Sequence, residues 1–83
     1  MCRVLILNEN PMERENMRTI LSGGLPQAEI LAAASPRQAL ERIVEGPVRL
    51  FITDVPWFDA DYCSVITAAK EMAPDMPILV TST

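Results

Sequence analysis

The chain has 83 residues, 49% of them hydrophobic and 22% charged, with a formal net charge of −4. That makes one small domain at most, too apolar to be disordered, and its seven scattered Lys and Arg build no basic stripe for a phosphate backbone, which sets nucleic-acid binding aside. There is no His and only two cysteines, Cys2 and Cys63, without C-x-x-C spacing, so neither a zinc site nor a Ser–His or Cys–His nucleophile pair is supported.

The opening "MCRVLILNEN" is too short and lacks the small-residue cleavage site of a signal peptide. No apolar run reaches the roughly 18 residues of a membrane span. A cytoplasmic protein with reduced thiols is expected. Residues 3–8, "RVLILN", are a continuous apolar run with β-branched members, the pattern of a strand buried on both faces. Asn10 then suits an N-cap and Pro11 the first helical position. Met17, Ile20 and Leu21 give that helix an apolar face, and Gly23-Gly24 stops it. Residues 28–34 predict a second, Ala-rich strand.

Ser35 and Pro36 open a second helix with Ala39, Leu40, Ile43 and Val44 as its buried stripe, ended by Gly46-Pro47. Residues 48–54, "VRLFITD", predict a third strand, and 60–73 a third helix with Val65, Ile66, Ala69 and Met72 facing in. Pro74 ends it. Residues 76–83 predict a fourth strand. Met12, Met17, Met72 and Met76 read as core fillers, and the Glu13, Arg14, Glu15, Arg18 cluster as a solvated helix face.

The order βαβαβαβ implies a flavodoxin-like parallel sheet with right-handed crossovers. With strand order 2-1-3-4, the point where the order reverses lies between strands 1 and 3, and ligands gather at the carboxyl ends there. Asn8-Glu9 closes strand 1 and Asp54 closes strand 3, so topology alone brings Glu9 and Asp54 to one crevice. Two carboxylates need a proton or a cation between them, and oxygen ligands suit Mg²⁺. Asp54 is also a candidate nucleophile for an aspartyl-phosphate, with Ser82 placed to hydrogen-bond a phosphoryl oxygen. An equally open reading makes both acids ordinary strand-end residues favoured by helix dipoles.

Across all 83 residues, "VLILNENPMERENMRTIL", "LAAASPRQALE" and "LFITDVPWFDADYCSVITAAKEMAPDMPILVTST", the chain resembles a response-regulator receiver domain of two-component signalling. The resemblance implies a phospho-accepting Asp54, Mg²⁺ held by Glu9 and Asp54, and Ser82 as the hydroxyl drawn to the phosphoryl group. Asp61 matches a structural acid of the following loop. The implied partner is a histidine kinase or phosphotransfer protein.

The departures from the family carry weight too. Asn8 replaces one acid of the usual pair and is expected to weaken Mg²⁺ binding. The loop after Asp54 reads "VPWFDADY" instead of placing Pro and Gly four and five residues on, and Tyr62 stands at a usual Gly. Within these residues there is no counterpart of the family's last helix, strand and helix, nor of the lysine and switching aromatic they carry. Lys70, on the third helix, lies on the wrong side to replace that lysine. The expectation is a single shortened receiver-like domain over 1–83 whose fourth strand is an open edge, inviting a homodimer. Trp57 and Phe58 are candidate partner contacts. Signalling through Asp54 competes with a second reading, a phosphorylation-independent pseudo-receiver serving as an interaction or dimerisation module. With no Gly-rich phosphate loop and no second catalytic cluster, a free-standing enzyme is not expected.

Overall fold

The computed structural model describes residues 2–54 and 60–81, with third-helix side chains described from Ser64 onward. Strand β1 (Cys2–Leu7), helix α1 (Pro11–Gly24), β2 (Ala28–Ala33), α2 (Pro36–Glu45), β3 (Leu50–Asp54), α3 (Ala60–Met72) and β4 (Ile78–Thr81) follow in turn. The strands form one parallel sheet in the order β2-β1-β3-β4, the architecture expected from the sequence. Both helix starts fall where the capping residues put them. The Asn10 side chain accepts the amides of Met12 and Glu13, and the Ser35 side chain that of Gln38, relieving donors that a helix end leaves orphaned.

Central strands explain the unbroken apolar runs. Val4 to Leu7 in β1 and Phe51 to Thr53 in β3 are buried, because helices cover both faces of the sheet's middle. One face carries Leu5, Leu7, Ala33 and Phe51, packed against Ala39 and Ile43 of α2, Val65 and Ala69 of α3, and Met76. The other presents Val4, Ile6 and Ile52, with α1 lying against β1 and β2.

That placement of α1 corrects part of the expected core. Met17 and Leu21 are half-buried, but Ile20 is 72% exposed and no α1 residue is fully buried. The helix lies over β1 and β2, and on the same face of the sheet Ile52 of β3 is still buried while its β4 neighbour Leu79 is exposed. Val44 and Met72 likewise stand exposed beside the α2–α3 seam instead of facing in, and Met12, in the first turn of α1, is no core filler. Met76 is one. The fourth strand is shorter than expected among the described residues. Its edge is open, with Leu79 52% and Val80 49% exposed. No described helix is long and apolar enough to cross a membrane.

Candidate functional site

The carboxyl end of β1 is built around Asn8. Its backbone amide continues the β1–β2 ladder by donating to the Ala33 carbonyl at 3.2 Å, and the residue is 4% exposed. Its Oδ1 accepts the Asn10 amide at 2.9 Å, a local turn that hands the chain to the α1 cap. Its Nδ2 donates to Glu13 Oε2 at 3.3 Å, and its carbonyl accepts Arg14 Nη1 at 2.8 Å. Glu13 and Arg14 therefore do not merely face solvent, as their sequence context suggests. Glu15 and Arg18 do, paired with each other at 3.3 Å on the exposed side.

Asp54 ends β3 in register with Thr81 of β4. Its Oδ1 is fully buried and has no hydrogen-bond partner among the described residues, which is uncommon for a buried polar atom. Thr53 Oγ1 shares that condition, one strand position earlier and so on the opposite face. Burial holds the Asp54 carboxyl above its ordinary range, and the negative charges of Glu13 and then Glu9 push it the same way. A concavity of about 300 Å³ opens here, lined by Asn8, Glu13, Asn16, Asp54 and Thr81 over Met17 and Ile20. Glu9 is exposed at the turn after β1 and outside that lining.

The donor set fits a hard cation. An orphaned buried carboxylate oxygen, crowded by negative charge, gains from a positive ion, and Mg²⁺ takes one or two protein carboxylates while keeping several waters. Among the described residues no three acids, cysteines or histidines gather into a fuller cage. Ser82, Trp57, Phe58 and the Asp61 side chain lie outside the described residues. Lys70 Nζ donates to the Met76 carbonyl at 3.4 Å, at the amino end of β4 and away from Asp54. Three residues that line the site were not singled out as site residues from sequence, Glu13, Asn16 and Thr81. Glu13 holds the third helical position, from which a Glu commonly reaches back toward the cap. Thr81 could have been found from strand register alone.

No family model and no curated protein sequence matches the chain. Solved structures do. A LuxR family DNA-binding response regulator from Silicibacter pomeroyi superposes with a TM-score of 0.79 at 18% identity, over 96% of this chain and 62% of that one. A chain of the complex between histidine kinase ThkA and response regulator TrrA gives 0.84 at 23%, over 100% and 70%. A response regulator receiver domain protein from Clostridium thermocellum gives 0.83 at 18%, over 99% and 65%. The chain thus spans about two thirds of the length of these structures. Sheet order, helix placement and these superpositions agree: the fold is that of response-regulator receiver domains.

Proposed function

We propose that the chain is a signalling domain that accepts a phosphoryl group on Asp54 from a histidine kinase. The observation that carries this reading is the position of Asp54 itself. It ends a central strand at the topological switch point, beside a concavity, with one buried carboxylate oxygen unpartnered among the described residues. In the transfer, an Asp54 oxygen attacks phosphorus, the bond from phosphorus to the donor's imidazole nitrogen breaks, and the electron pair leaves with that nitrogen. Glu9 and Asp54 would hold Mg²⁺ in this reading, and Ser82 would hydrogen-bond the phosphoryl group. Bound Mg²⁺ would neutralise charge on the phosphoryl oxygens. With the neutral Asn8 amide in place of an acid, its binding is weaker than a full acid pair would give.

The test is intact-protein mass after incubation with acetyl phosphate and Mg²⁺, beside Asp54→Asn. One phosphoryl adduct, absent from the variant, is the expected result. A folded wild type without an adduct would favour the second reading, a phosphorylation-independent module for protein association. The half-exposed Leu79 and Val80 on the β4 edge favour that module and, under either reading, self-association into a dimer.

A further inference from the structure

We propose that Glu13 supplies a further carboxylate to the cation site of Asp54 and Glu9, taking the place of the acid that Asn8 lacks. The inference rests on the reading of Asp54 as a cation-assisted phosphoryl acceptor. Asn8 is buried, and its amide is committed at both ends: Oδ1 to the Asn10 amide and Nδ2 to Glu13 Oε2 at 3.3 Å. Only a neutral amide can do this. A carboxylate at position 8 would offer no donor to Glu13 and would repel it. Asn8 therefore draws in from the helix the charge that its own side chain does not carry.

The result is a matched pair. Glu13 lines the same concavity as Asp54, while Glu9 does not. Asp54 Oδ1, buried and without a hydrogen-bond partner among the described residues, is the oxygen that a cation between the two carboxylates would satisfy.

Mn²⁺ binding to the full chain, followed by electron paramagnetic resonance, tests this without any phosphoryl transfer. Asp54→Asn should lose binding. Glu13→Gln keeps the acceptor for the Asn8 amide and removes only the charge, and should weaken binding roughly tenfold or more, the usual effect of disturbing a group that orients or charges a metal site. Glu9→Gln should weaken it less. Asn8→Asp added to Glu13→Gln should restore binding; if that buried change unfolds the chain, the single variants decide. Wild-type affinity in Glu13→Gln, with binding lost in Asp54→Asn, would overturn the role of Glu13 and leave Asp54 as the acceptor. A weakened Glu13→Gln that a folded double variant does not rescue would also overturn it. A wild type that binds no Mn²⁺ would bring down both.

Discussion

At Asp54 a charge sits where the fold does not favour one. Burial, and then Glu13 and Glu9, hold its carboxyl above the ordinary range. Between its unfolded value and its raised folded value, the folded chain binds the proton more tightly than the unfolded chain does. Stability therefore falls as pH rises through that window, and the penalty is fully present above it. Asp54→Asn removes the charge, so its thermal midpoint at pH 7 should exceed the wild type's. The advantage should shrink as pH falls through the raised folded value toward the ordinary carboxylate range, below which the carboxyl is neutral in both states. An equal or lower midpoint at pH 7 would mean that the buried oxygen already has a partner. Asn8 and Glu13 illustrate what sequence spacing could not supply. Five positions apart on different elements, they meet only because the Asn8 turn and the Asn10 cap fold α1 back over the strand end.

Among the elements, β4 is an edge strand with half-exposed apolar side chains. The Phe51 amide donates to the Pro77 carbonyl at 3.0 Å, so Pro77 and Leu79 turn their backbone groups toward β3, while Ile78 and Val80 turn theirs to the open side. The strand "ILVT" carries no charge to discourage a second strand. Val80→Lys should suppress concentration-dependent self-association in sedimentation velocity. Because Val80 is half exposed, the change should move stability by no more than about 0.5 kcal/mol. Association undiminished in the Lys variant would place the contact elsewhere. The helices show the same contrast between ends and faces. Their starts were legible because Asn10-Pro11 and Ser35-Pro36 act locally. The exposure of Ile20, Val44 and Met72 was not, because periodicity says which side of a helix is apolar and nothing of how much sheet lies beneath it.

For the molecule as a whole, one core cluster under α2 and α3 carries most of the burial, in a chain small enough to bury only about 60% of its unfolded surface. Phe51 is completely buried at its centre. Phe51→Ala should cost about 3–5 kcal/mol, a large share of a total on the order of 5 kcal/mol for a domain of this size. Urea unfolding monitored by far-ultraviolet circular dichroism would measure it, and a loss below roughly 1 kcal/mol would mean that the cavity collapses or that the core lies elsewhere.

The alternation of strands and helices, the caps, the parallel sheet and the end of β3 at Asp54 were all readable in the chain itself, because each follows from local propensity, apolar period or a handedness rule. Which acid faces Asp54 was decided only in three dimensions. Glu9 follows the strand end directly in sequence, yet Glu13, held by a hydrogen bond from the Asn8 amide, is the acid that lines the concavity with Asp54. A contact of that kind depends on the path of a turn and the rotation of a helix, quantities that residue spacing does not encode.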